Sequence, residues 1–191
     1  HMLESYFNNT EPAFSRLQDR LVEGLMKTIM EATEKILVAP DDYNARAEMM
    51  WAATLAFNGL TTAGMGQVAL PVHMIEHSLS ALYDVAHGAG LSIVLPGWMS
   101  RQVREKAGRF ARLAREVFGI NTADNDEAAR AGINVLRKWF AAIGSPVSLA
   151  EAGIPAGDID RIAENAAELA QVWGLKAYSR QEIGAVLELC R

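Results

Sequence analysis

The sequence predicts an all-α domain, and three observations carry that prediction. Apolar residues recur at spacings of three and four along almost the whole chain, the period of a helix with one buried face. Proline, glycine and aspartate fall between these periodic segments, where helices start and stop. No stretch alternates apolar and polar residues as a half-buried strand does. The run Ile93-Val94-Leu95 alone is strand-like, and it has no partner to pair with.

Taken in order, Leu3-Glu4-Ser5-Tyr6-Phe7 reads as the last turns of a helix. Phe14, Leu17, Leu21, Leu25, Ile29 and Ile36 give one long apolar face, with a start at Thr10 and Pro12 and a stop at Ala39-Pro40. Asp41 or Asp42 caps the next helix, in which Ala45, Met49, Ala52, Ala53, Ala56 and Leu60 share a face. Gly59, Gly64 and Gly66 loosen its end. A third helix carries Val72 to Leu82. Residues 88–96 hold no charge, which predicts burial on most sides. Arg104 to Phe118 is amphipathic and ends at Gly119. Asp126 to Ile143 forms a helix that stops at Gly144-Ser145-Pro146. Ile159 to Trp173 and Arg180 to Leu189 complete one helical domain over residues 1–191, without linkers or repeats.

A chain of 191 residues can bury a sizeable core. Half of it is hydrophobic and 21% is charged, as in soluble globular proteins. The net charge of −5 and the lack of a dense Lys/Arg patch exclude a nucleic-acid partner. Charged residues or histidine interrupt every apolar run before it can span a bilayer, and no secretory pattern is present. A single cysteine, Cys190, rules out an internal disulfide and suits a reducing cytoplasm. It reads as incidental. Trp51, Trp98, Trp139 and Trp173 read as core or interface residues, and the methionines, Met49 and Met50 included, as core gap-fillers.

Three of the four histidines, His73, His77 and His87, lie within fifteen residues. Spacing leaves two readings equally open. In one, three unrelated imidazoles are each hydrogen-bonded in a polar pocket. In the other, they build a metal site. The pair His73 and His77, four apart on a helix, is the one that spacing favours as ligands. With no Cys-x-x-Cys partner, such a site is made of imidazole and carboxylate, which suits zinc, iron or a related divalent ion. Glu76 beside them reads either as a hydrogen-bond partner of a ligand or as a solvated or ion-paired helix charge. Tyr83-Asp84 is equally ambiguous.

The segment Gly59 to Pro96 resembles the iron-containing (group III) alcohol dehydrogenases. Their signature, H-x-x-x-H, nine residues, then H-G-x-G/A, appears as His73-Met74-Ile75-Glu76-His77, Ser78 to Ala86, then His87-Gly88-Ala89-Gly90. Met50-Trp51-Ala52-Ala53-Thr54-Leu55-Ala56-Phe57-Asn58-Gly59-Leu60 is similar to the family's butanol dehydrogenase and aldehyde reductase branch. So are Gln18-Asp19-Arg20 and Asp41-Asp42-Tyr43-Asn44-Ala45-Arg46-Ala47. The resemblance covers nearly the whole chain and thins after Gly119. It implies the C-terminal helical, metal-binding domain of a dehydroquinate-synthase-like fold. It also reassigns the ligands to His73 and His87, and leaves His77 near nicotinamide and substrate, where it transfers a proton or orients the substrate.

The family's remaining ligands lie in D-x-x-x-H-x-x-E-x-Y, whose second half is similar to His1-Met2-Leu3-Glu4-Ser5-Tyr6-Phe7. That makes His1 a third ligand, although His1-Met2 also reads as an expression remnant with Met2 as the start. The aspartate is absent. So is the glycine-rich pyrophosphate loop of the family's N-terminal dinucleotide-binding domain, since Gly64-Met65-Gly66 is too short and follows a helix.

The resemblance therefore implies one half of an NAD(P)-linked, Fe2+- or Zn2+-dependent alcohol dehydrogenase or aldehyde reductase. This half acts on a small alcohol or aldehyde only together with the dinucleotide-binding half, and is inactive alone. An apolar face left by that half would promote a homo-oligomer. The alternatives are a non-catalytic helical packing or oligomerisation module, and a zinc-dependent glycerol or polyol dehydrogenase relative.

Overall fold

The structure, a computed structural model, describes residues 1–9 and 16–191. Among these residues the regular structure is eight α-helices and two short 3-10 turns. The nearest approach to a sheet is the isolated bridge between Asn9 and Val68, so the all-α expectation holds. Ile93-Val94-Leu95 is helical. The helices gather into two compact units, residues 1–69 with 115–119 and residues 70–114 with 120–191. No helix among the described residues is long and apolar enough to cross a membrane.

The first unit holds α1 (Met2–Phe7), α2 (Arg16–Val38) and α3 (Tyr43–Phe57), followed by a 3-10 turn at Leu60–Thr62. The expected helix start at Thr10 and Pro12, and Phe14, lie outside the described residues. α2 packs against both α1 and α3. Its most buried stripe is Asp19, Val22, Glu23 and Ala32, while Leu17, placed on the core face by periodicity, is 65% exposed. Two acidic residues sit inside because they have partners there. Glu23 accepts a hydrogen bond of 2.8 Å from the hydroxyl of Tyr6, itself fully buried, and a satisfied polar group can be buried at little cost.

Asp42 caps α3 by accepting from the Ala45 amide at 2.9 Å, and Gly59, at φ 86°, makes the turn beyond it. Ala45 and Ala52 line the inner face as expected, but Ala53 and Leu60 are exposed. Met50 and Trp51 are not core residues: they are 71% and 63% exposed, and with Tyr43 and Phe57 they give α3 an apolar outer surface.

The second unit holds α4 (Pro71–Tyr83), α5 (His87–Phe118, whose last turn joins the first unit), α6 (Asn125–Ala142), α7 (Ile159–Val172) and α8 (Arg180–Glu188). α7 packs against α4 and α8. The uncharged stretch 88–96 and the amphipathic stretch 104–118 are one helix, kinked at Lys106 (φ −118°, ψ 17°). Pro96 lies inside that helix. An internal proline costs about 3 kcal/mol. Burial of Ile93, Val94, Leu95, Trp98 and Met99 around it outweighs this, at roughly 1.5–3 kcal/mol per large apolar side chain.

Two close approaches fix the packing on α5. A Cβ added at Gly97 would overlap the Cys190 sulfur and lie 3.3 Å from the Val186 carbonyl oxygen. Cys190 is therefore a packing element and not incidental, and burial pushes its thiol up to about 12. A Cβ at Gly132 would lie 2.6 Å from the Ala114 Cβ and 3.3 Å from its Cα, atoms of a helix with nowhere to rotate away. Gly132→Ala should therefore force α5 and α6 apart and cost about 1–3 kcal/mol. Denaturant melts of the variant beside Gly157→Ala, where an added Cβ meets nothing, check this, and equal midpoints would refute it.

Candidate metal centre

α4 opens with Pro71 at its first position, where the missing N–H costs nothing. Its next residues, Val72 to Glu76, are buried. Glu76 and His77 lie three and four residues after His73, and Ser80 lies four and three residues after them, so the four run along one side of the helix. The helix ends at Tyr83. Asp84 takes a left-handed conformation (φ 55°) with its amide bonded to the Ser80 carbonyl at 3.0 Å, which aspartate tolerates better than most side chains. The chain turns there and α5 begins at His87.

This turn folds His87 back onto α4. Its ring centroid lies 5.3 Å from that of His73 and 5.6 Å from that of His77. His73 and His87 offer ring nitrogens within 4.8 Å of one another. His73 is buried, His87 half-buried and His77 exposed. One donor atom each from Glu76, His77 and His87 meets the same limit.

Glu76 is fully buried. Its Oε2 pairs with His87 Nδ1, and the Ser80 hydroxyl lies between its Oε1 and the Val85 carbonyl oxygen. The reading of Glu76 as a solvated helix charge is thus corrected. It is buried because an imidazole and a hydroxyl satisfy it.

His77 is held edge-on by Trp173, with ring centroids 5.1 Å apart. Trp173 caps the C-terminus of α7, and its place beside the histidines depends on the docking of α7 on α4, which spacing along the chain does not reveal. Tyr83 donates 2.8 Å to Asp158 Oδ2, and the Arg161 guanidinium lies over its ring at 5.7 Å. Desolvation first, and then the Asp158 hydrogen bond and charge, hold its phenol above the usual value. Tyr83 therefore ties α4 to α7, and Asp84 makes the turn. His1 stands in the first unit, at the head of α1 with its ring 4.7 Å from that of Phe57.

Converging imidazoles beside a carboxylate are a donor set of borderline hardness, which Fe2+ and Zn2+ accept. The residues present fit such an ion.

The sequence pattern of the Fe-containing alcohol dehydrogenase family, C-terminal part, matches residues 1–190, and the chain belongs to that family. It is 38% identical over 172 residues to NADH-dependent butanol dehydrogenase B of Clostridium acetobutylicum, covering 88% of this chain and 43% of that protein. It is 35% identical over 159 residues to the NADPH-dependent aldehyde reductase YqhD of Escherichia coli, covering 83% of this chain and 40% of that one. Among solved structures, NADH-dependent butanol dehydrogenase A of Thermotoga maritima superposes with a TM-score of 0.91 at 39% identity, over all of this chain and 49% of that one. The chain thus spans less than half the length of these relatives.

Proposed function

We propose that these helices are the metal-binding half of an NAD(P)-linked alcohol dehydrogenase or aldehyde reductase. In this reading His73, His87 and His1 hold a divalent ion, iron before zinc, and His77 stands at the reacting centre. The observation that carries the reading is the approach of His73 and His87 across the turn at Asp84, in a chain whose relatives are named as NADH- and NADPH-dependent butanol dehydrogenases and aldehyde reductases.

A bound ion supplies Lewis acidity toward the oxygen of a small alcohol or aldehyde. His73, being buried, presents its ring nitrogen in a fixed direction and shields it from water. His77 is the exposed imidazole of the three, steadied by Trp173, so a ring nitrogen of His77 can take or give the hydroxyl proton as hydride moves. His1 joins the set through the likeness of His1-Met2-Leu3-Glu4-Ser5-Tyr6 to H-x-x-E-x-Y. The nicotinamide cofactor is held by a dinucleotide-binding domain outside these helices, in a cytoplasmic enzyme. The apolar outer surface of α3 supports association, as a homo-oligomer.

The test is NAD(P)H oxidation with butanal by the full-length protein loaded with Fe2+ or Zn2+. Turnover should disappear on chelation, and the 191-residue chain alone should show none. Aldehyde reduction by the isolated chain, or by full-length protein stripped of metal, would refute the reading.

A further inference from the structure

We infer that Glu76 is the positioning residue of His87 and that glycine stands at position 90 to make room for its carboxylate; the inference rests on the metal reading above. A carboxylate with no exposure to solvent is costly unless its oxygens are engaged. Here one oxygen pairs with His87 Nδ1 and the other faces the Ser80 hydroxyl. The carboxylate has therefore been placed, at a cost, against one particular nitrogen of one particular imidazole.

That pairing has a chemical consequence. A neutral imidazole carries one proton, and a carboxylate at Nδ1 keeps the proton on that nitrogen. Nε2 is then the atom with the lone pair, and the ring's rotation is fixed by the same bond. A ligating histidine commonly has its other nitrogen held this way, and loss of the outer partner weakens metal binding about 10–100-fold.

Gly90 gives independent support. It lies on α5 one turn beyond His87 and is buried. A Cβ there would stand 2.5 Å from Glu76 Oε1, 2.6 Å from its Cγ and 2.9 Å from its Cδ. Any side chain at position 90 would displace the carboxylate or push α5 off α4. Glycine's lack of a side chain is thus used at this position for close approach, at a helical backbone conformation where its freedom of φ is not needed.

The experiment compares full-length wild type with Glu76→Gln, Glu76→Ala, Gly90→Ala and the Glu76→Ala/Gly90→Ala double variant. Affinity for Zn2+ is measured by competition with a chromophoric chelator, and the ligand set is followed by the absorption spectrum of bound Co2+. Glu76→Gln, nearly isosteric, should lower affinity about 10–100-fold and leave the shape of the Co2+ spectrum unchanged. Gly90→Ala should act alike. The double variant should be no worse than Glu76→Ala, because both changes remove the same contact.

In the metal-free protein, the His87 ring nitrogen shifts should report a single Nδ1–H tautomer that becomes mixed in Glu76→Ala. Wild-type affinity in Glu76→Gln, additive losses in the double variant, or an unchanged tautomer in Glu76→Ala would each overturn the inference. So would a Co2+ spectrum reporting a lost donor in Glu76→Gln, since Glu76 would then be a ligand with His77 and His87. Failure of wild type to bind any ion sinks the metal reading instead, and the tautomer measurement still decides the Glu76–His87 pairing by itself.

Discussion

His87→Ala and His73→Ala in the full-length protein should each abolish stoichiometric metal, while His77→Ala should leave it bound. Elemental analysis after gel filtration measures all three. The size of the expected loss follows from the role. Removing an outer partner of a ligand costs about 10–100-fold in affinity, and removing the ligand itself costs more, since an imidazole nitrogen is withdrawn and a buried methyl takes its place. His77→Ala is the informative arm. If the helical pair His73 and His77 were the ligands, as spacing four residues apart on α4 suggests, His77→Ala would be as damaging as His73→Ala. If His73 and His87 are the ligands, His77→Ala spares the metal and removes only turnover. Metal retained in His87→Ala would remove His87 from the ligand set, whereas wild-type protein without metal would favour the helical packing module over the dehydrogenase half.

Spacing favours His73 and His77 for a physical reason. Periodicity reports neighbours along one helix, and the approach of His87 depends on what happens between helices. α4 stops at Tyr83 and Asp84 adopts φ 55°, so His87 returns to the face it has just left. Only the likeness of the whole H-x-x-x-H to H-G-A-G stretch carried that information. The burial of Glu76 was hidden for the same reason, since its partner is on α5. So was Trp173, nearly a hundred residues from His77.

Helix positions were legible in most of the chain because caps and stops are local. Asp42 ahead of α3 and the glycine-serine-proline after α6 act on their own neighbours. Helix faces were less legible. On α2 the Glu23 bond to Tyr6 turns an acidic position inward and leaves Leu17 in water. At Pro96 a proline that ordinarily ends a helix is overridden by the burial of its neighbours, joining two segments that read as separate.

The four tryptophans divide in a way that composition cannot show, and the division predicts the largest stability effect in the molecule. Trp98 is fully buried in α5, with its ring edge-on to Phe110 at 6.0 Å and its indole N–H donating 2.9 Å to the Tyr178 hydroxyl. Trp51 is 63% exposed on α3. Trp98→Ala should cost about 3–5 kcal/mol, the transfer energy of a large apolar side chain plus the cavity it leaves. For a protein of this size that lowers Tm by roughly 6–20 °C.

Trp98→Phe keeps most of the apolar volume and removes the donor. It should cost less than Trp98→Ala, part of its cost being about 1 kcal/mol for the lost bond to Tyr178. Trp51→Ala, melted at a dilution where the protomers are dissociated, should change stability by no more than about 0.5 kcal/mol, as surface substitutions do. Thermal melts of the three variants check the order. If Trp51→Ala proves as damaging as Trp98→Ala in the dissociated protomer, the packing of α5 around Trp98 is not the main anchor of the second unit.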